Sequence, residues 1–176
     1  MGSRGVGVFL LVTVVGTGTV ASSQATDPPV VQAMRARENM AVITVRTVAV
    51  AQKGYAAANH SFYDQLPCLM RPWDCIPGHD PQAASFLDPT YDWLAPRLGY
   101  SWKFYAGPAA TPEDIAAAGA SATSLRSFAF TGTPLKPGET GTRGFCGDST
   151  GNMCVTKDGS EPPVKNGRCD PCKKLE

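Results

Sequence analysis

The stretch V-V-Q-A-M-R-A-R-E-N-M-A-V-I-T-V-R-T-V-A-V-A-Q-K-G-Y, from Val30 to Tyr55, decides the fold. Its apolar and small positions Val31, Met34, Ala41, Val45, Val48 and Tyr55 recur at steps built from three and four residues, with Glu38 and Gln52 as polar exceptions. The other side carries Arg35, Arg37, Arg46 and Lys53, so the segment reads as one long amphipathic helix. Valine, isoleucine and threonine are weak helix formers, and Ala41–Val50 taken alone also suits a strand. The length of the pattern and its repeated alanines decide for helix. Gly54 to His60 reads as its fraying end.

Working outward, T-G-T-R-G-F-C-G-D-S-T-G-N-M-C-V-T-K-D-G-S, Thr140 to Ser160, reads as a hairpin with strands at Thr142–Cys146 and Met153–Thr156. Gly99–Tyr105 alternates, with Tyr100, Trp102 and Phe104 on one face, and Ser124–Thr133 alternates as a second strand. The expected fold is therefore α+β: a long N-terminal helix packed on an antiparallel sheet of three or four strands. The Met34–Val45–Val48 stripe should bury against Phe128, Phe130 or Phe145. Phe62–Pro81 reads as proline-rich loop, and Phe86–Ala95 as a short helix. Pro112–Ala117 reads as one helical turn capped by Thr111, with Glu113 and Asp114 in the first turn.

Residues 1–25 have the layout of a secretory signal peptide: Arg4, an apolar run from Val6 to Val15, and small residues ending in Ser23-Gln24-Ala25. Cleavage after Ala25 is expected, giving a secreted or periplasmic protein. The competing reading is an uncleaved membrane anchor, but the run is shorter than the roughly 20 residues that span a bilayer. The expected organisation is a signal peptide at 1–25, one domain at 26–160 and an extended cysteine-containing tail at 161–176. A net charge of +1 provides no field for nucleic acid or anionic lipid.

Six cysteines behind an export signal, Cys68, Cys75, Cys146, Cys154, Cys169 and Cys172, read as disulfides. Spacing favours three local bridges: Cys68–Cys75, Cys146–Cys154 across the hairpin, and Cys169–Cys172 in the tail. The Cys169-Asp170-Pro171-Cys172 spacing also matches thiol–disulfide exchange proteins, which use a helix N-terminus to lower the first thiol's pKa. No strand–helix frame surrounds it here. A zinc site from Cys146, Cys154, Cys169 and Cys172 fails on the wide first spacing. Ser61, His79 and Asp80 can be written as a triad, but no G-x-S-x-G elbow accompanies them. No catalytic residue and no cofactor are expected. Among the aromatic residues, Trp73, Tyr91 and Trp93 are the candidates for contact with a partner.

Two phrases carry a resemblance. Arg46, Thr47, Ala51, Gln52 and Tyr55 fit R-T-[IV]-x-x-A-Q-x-x-Y. Gly141, Arg143, Phe145, Asp148, Gly151, Asp158 and Gly159 fit G-x-R-x-F-x-x-D-x-x-G followed by D-G. Both phrases, in this order over Met34–Ser160, resemble bacterial type IV pilin-like and type II secretion pseudopilin-like proteins. The prepilin leader of that family, cut at a Gly before Phe or Met with Glu at the fifth mature position, does not stand here. The chain resembles the globular half of a pilin behind a conventional signal peptide. The resemblance implies a non-enzymatic structural or protein-binding domain linked to pilus-like or secretion-like machinery. The alternatives are a secreted, self-associating scaffold or adhesin, and a thiol-exchange protein using Cys169 and Cys172. The resemblance also implies a calcium loop near the C-terminus, for which Asp148, Ser149, Asp158, Ser160 and Glu161 offer oxygen ligands.

Overall fold

A computed structural model describes Gly2 and residues 27–175; the proposed signal peptide and its cleavage point lie outside the described residues. The architecture is α+β. Helix α1 runs Pro29–Ala58 and lies across one face of a four-stranded antiparallel sheet of β1 (Tyr100–Ala106), β2 (Phe128–Pro134), β3 (Gly144–Asp148) and β4 (Met153–Thr156). The strand order is sequential, β1-β2-β3-β4. No helix among the described residues is long and apolar enough to cross a membrane.

Strand alternation divides the molecule into layers. Tyr100, Trp102, Phe130, Phe145 and Val155 face α1 and form the main core with Ala41, Val45, Val48 and Tyr55. Trp102 stacks on Phe130 with ring planes 6° apart. Its ring lies on Gly132, where an added Cβ would sit 2.6 Å from Cζ3. Gly147 plays the same part under the helix, since a Cβ there would meet Val45 Cγ1 at 2.7 Å. Two strand glycines thus set how closely ring and helix approach the sheet. The expected stripe is confirmed at Val45 and Val48, whereas Val31 and Met34 stay half-buried, because α1 begins about two and a half turns before its first buried residue, Glu38.

The end of α1 is pinned rather than frayed. Asn59, fully buried, accepts a hydrogen bond from Ser121 N at 2.8 Å and donates to Ser124 Oγ at 2.9 Å. Gln52 Nε2 donates to the Asp64 carbonyl at 2.6 Å, and Tyr55 Oη to Asp64 Oδ2 at 2.9 Å. The Gln-x-x-Tyr of the first phrase therefore fastens the chain that leaves the helix. The loop that follows holds two short elements, α2 (Leu66–Met70) and a 3-10 turn (Pro72–Asp74). Helix α3 (Pro112–Ala118) has the expected Thr111 cap, which accepts from Asp114 N at 3.2 Å, and ends on Gly119 at φ 68°.

Phe86–Ala95 is not a helix. Asp88 Oδ1 accepts from Thr90 N, and Asp92 Oδ1 from Leu94 N and Ala95 N. These side-chain turns capture the amide groups a helix would need.

The disulfides depart from the local pattern. Cys68–Cys75 forms as expected, but the other two are Cys146–Cys169 and Cys154–Cys172. Cys146 and Cys154 do stand opposite one another in the β3–β4 register. Both point away from α1, and the tail crosses that face, with Cys169 bonded to Cys146 on β3 and Cys172 to Cys154 on β4. The tail is ordered by β5 (Val164–Lys165) and β6 (Arg168–Cys169), joined through Asn166 and Gly167 at φ 51° and 67°. That is a two-residue hairpin turn with both centres left-handed, for which Asn-Gly is the favoured pair. The last described residues then run along the outer side of β4: Val155 N donates to the Lys173 carbonyl and Leu175 N to the Met153 carbonyl, both at 2.8 Å. The tail covers an edge that would otherwise offer unpaired backbone groups.

Candidate functional site

The calcium candidates do not converge. Asp148 ends β3, where its Oδ1 accepts from Thr150 N at 2.9 Å and its Oδ2 from Cys169 N at 2.9 Å. Ser149 N donates to the Phe128 carbonyl. Asp158 and Ser160 sit beyond the other end of the same hairpin, with Asp158 Oδ1 accepting from Ser160 N at 3.0 Å. Four residues of extended strand, about 13 Å, separate the two turns. Glu161 pairs with Lys103 at 2.7 Å and accepts from Tyr105 Oη. Burial raises the Glu161 carboxyl and its Lys103 and Tyr105 donors outweigh that, holding it below its ordinary value. These oxygens fasten turns and tail. Among the described residues no group of three His, Cys, Asp or Glu side chains is placed to hold a metal ion.

Cys169 and Cys172 are bonded to different strands, not to each other, so they form no exchange motif of the C-x-x-C kind. All six cysteines are oxidised in the structure, which is compatible with an extracytoplasmic compartment.

Two of the three aromatic candidates come together. Tyr91 and Trp93 meet edge to face, with ring centroids 4.8 Å apart. Together with Trp102 they enclose Arg97, whose guanidinium carbon lies 4.4 Å from the Tyr91 centroid and 4.9 Å from that of Trp102. Arg97 Nη1 donates to the carbonyls of Asp92 and Ala95 at 3.0 and 3.2 Å. Rings and cation pack on each other within the chain and close the loop onto β1, with Arg97 Nη2 and Trp102 Nε1 buried among the described residues without a hydrogen-bond partner. Trp73 stands apart, half-exposed in the 3-10 turn inside the Cys68–Cys75 loop.

A second apolar surface lies on the outward side of α1. Val50 is 71% exposed, Ile43 52% and Met40 43%. They flank Thr47, whose Oγ1 donates to the Ile43 carbonyl at 2.9 Å and so leaves its methyl group outward. The signal was present in the sequence as a second set of three- and four-residue steps, offset from the first.

The inner side of α1 holds its one carboxylate. Glu38 Oε1 accepts from Thr142 N at 2.7 Å and Thr142 Oγ1 at 2.9 Å. Its Oε2 accepts from Arg143 Nε at 2.9 Å and pairs with Nη2 at 2.8 Å. Burial raises this carboxyl, but the donors of Thr142 and then Arg143 outweigh it, so it titrates below the ordinary 4.5. The Arg143 of the second phrase is thus a clamp on the helix, and the exposed charged side chains of α1 are all basic. Comparisons with protein-family models, curated proteins and solved structures find no match.

Proposed function

We propose that this chain is an extracytoplasmic, pilin-like domain without enzymatic activity that works by binding protein through the outward face of α1. The observation that carries the reading is the 30-residue helix whose inner face is committed to the sheet while Met40, Ile43 and Val50 stay exposed on the other. An apolar strip along one face of a long helix is a surface where a partner gains from contact. The order of one long helix before an antiparallel meander, together with the two phrases centred on Tyr55 and Arg143, supports a pilin-like relationship. It also favours a role beside pilus-like or type II secretion-like machinery. Three disulfides support a secreted or periplasmic setting.

The test is site-specific photo-crosslinking in the producing cell, with the probe at Ile43, Val50 or, as a control, Lys165. Discrete protein adducts from Ile43 and Val50 and none from Lys165 are expected. Adducts from Lys165 alone, or from none of the three, would remove the helix face from the reading.

A further inference from the structure

The outward face of α1 has the spacing of a coiled-coil seam. Ala36, Met40, Ile43, Thr47, Val50 and Ala57 fall on alternate steps of four and three, with one seven-residue interval before Ala57, and all six are exposed. They lie on a three-heptad register, of which the two heptads from Ala36 to Val50, roughly 21 Å of helix at 1.5 Å per residue, are open throughout; the position skipped before Ala57 is Gly54, half-buried with Phe86 packed against it. The strip is one residue wide, the width a single facing helix covers. Alanine at either end lets another backbone approach closely.

The flanks say which helix fits. Arg37 lies on one side of the seam, Arg46 and Lys53 on the other, and all three are exposed. Among the described residues none of the three is within ion-pair distance of a carboxylate; Arg35, off the seam, is paired with Asp27. The only acid in α1, Glu38, is buried beneath Thr142 and Arg143. Three cations border an apolar seam, and among the described residues no carboxylate answers them; Arg37 alone has a contact, to the Glu139 carbonyl at 3.4 Å.

Resting on the protein-binding reading above, we infer that the occupant is an amphipathic helix of another protein, with an apolar heptad seam flanked by glutamate or aspartate. Such a helix buries Met40, Ile43 and Val50 and sets carboxylates against Arg37, Arg46 and Lys53, the flanking-charge rule that selects coiled-coil partners. A second copy fits worse: two seams face to face bring three cations from each chain together. A lipid surface fits worse too, because helices that lie in a membrane interface present a broad apolar face with Trp or Phe, and this strip is narrow and has neither.

The test uses the purified, disulfide-bonded chain and two synthetic peptides of about 21 residues with leucine and isoleucine at the seam positions. One carries glutamate and the other lysine at the flanks. Binding is read by fluorescence anisotropy. The glutamate peptide should bind at least about tenfold more tightly, with the difference shrinking as salt rises. Ile43→Glu and Val50→Glu should each weaken it about tenfold while circular dichroism and the melting temperature stay unchanged, and Arg46→Glu/Lys53→Glu should reverse the peptide preference. Equal binding of the two peptides would overturn the acidic-partner inference while leaving the helix-face reading intact. Absence of peptide binding while Ile43 and Val50 still crosslink in the cell would do the same. Two further outcomes would replace the occupant: dimerisation in sedimentation that Val50→Glu abolishes, or capture by phosphatidylglycerol vesicles that Val50→Glu abolishes. Failure of the crosslinking itself strikes the parent reading.

Discussion

Arg143→Ala should destabilise the protein more than Glu38→Ala, although the two substitutions break the same ion pair. The asymmetry comes from burial. The Glu38 side chain is 6% exposed and that of Arg143 is 37% exposed. Removing Glu38 leaves a guanidinium that water can still reach, and the loss is that of a few part-buried hydrogen bonds, about 1–2 kcal/mol. Removing Arg143 leaves a buried carboxylate held only by Thr142 N and Oγ1, and losing one partner of a buried ion pair costs about 3–5 kcal/mol, less where such donors remain. Protonation limits it: keeping a carboxyl neutral at pH 7 against an ordinary value of 4.5 costs about 3.4 kcal/mol. The variant should therefore lose about 3 kcal/mol at neutral pH. The pH dependence distinguishes the two states. In the native protein the carboxyl is held below its unfolded value, so its contribution is complete above 4.5 and is lost as pH falls through the folded value. In Arg143→Ala, protonation relieves the stranded charge, so the penalty relative to the native protein should shrink on acidification. Urea unfolding at several pH values measures both. Equal losses for the two variants, or a penalty for Arg143→Ala that grows as pH falls, would refute the argument from burial.

Gly147→Ala should lower stability by about 1–3 kcal/mol, read by thermal melting, because its Cβ meets Val45 Cγ1 at 2.7 Å and Met153 Sδ at 3.1 Å. Valine in a helix has one strongly preferred rotamer, so α1 itself must move, and an unchanged melting temperature would count against the close helix–sheet contact. Non-reducing peptide mapping should recover Cys146 linked to Cys169 and Cys154 linked to Cys172; a Cys146–Cys154 peptide would contradict the crossed tail. By chain entropy the Cys146–Cys169 bridge, spanning 23 residues, contributes about 3.4 kcal/mol against about 2.4 for Cys68–Cys75, spanning 7. Paired Cys→Ser variants should melt in that order.

The difference between what the chain declares locally and what it declares only in three dimensions runs through these residues. The Val45–Val48–Tyr55 stripe, the Thr111 cap and the alternation of Tyr100, Trp102 and Phe104 were legible because each depends on neighbours within one or two turns. The opposition of Cys146 and Cys154 was legible for the same reason, and it misled: cross-strand opposition fixes where two sulfurs start, not which third segment reaches them. The Asn166-Gly167 pair between Val164-Lys165 and Arg168-Cys169 carried a hairpin signal that a tail rich in proline concealed, and that hairpin delivers Cys169 to β3. At Asp88 and Asp92 short polar side chains took the amide groups of the helix expected over Phe86–Ala95. The candidate site was hidden by its own likeness to the core. Both sides of α1 carry small and apolar residues at helical spacing, so the sequence shows two stripes and does not say which one meets the sheet. What separates them is Glu38. A carboxylate able to accept four hydrogen bonds belongs where backbone and guanidinium donors converge, and the Thr142-Arg143 corner supplies those donors 104 residues or more along the chain. Once Glu38 turns inward, Met40, Ile43 and Val50 turn outward, and the helix is left with an apolar seam and uncompensated positive charge. The ion pair that Arg143→Ala probes therefore also helps set which face of α1 is left exposed.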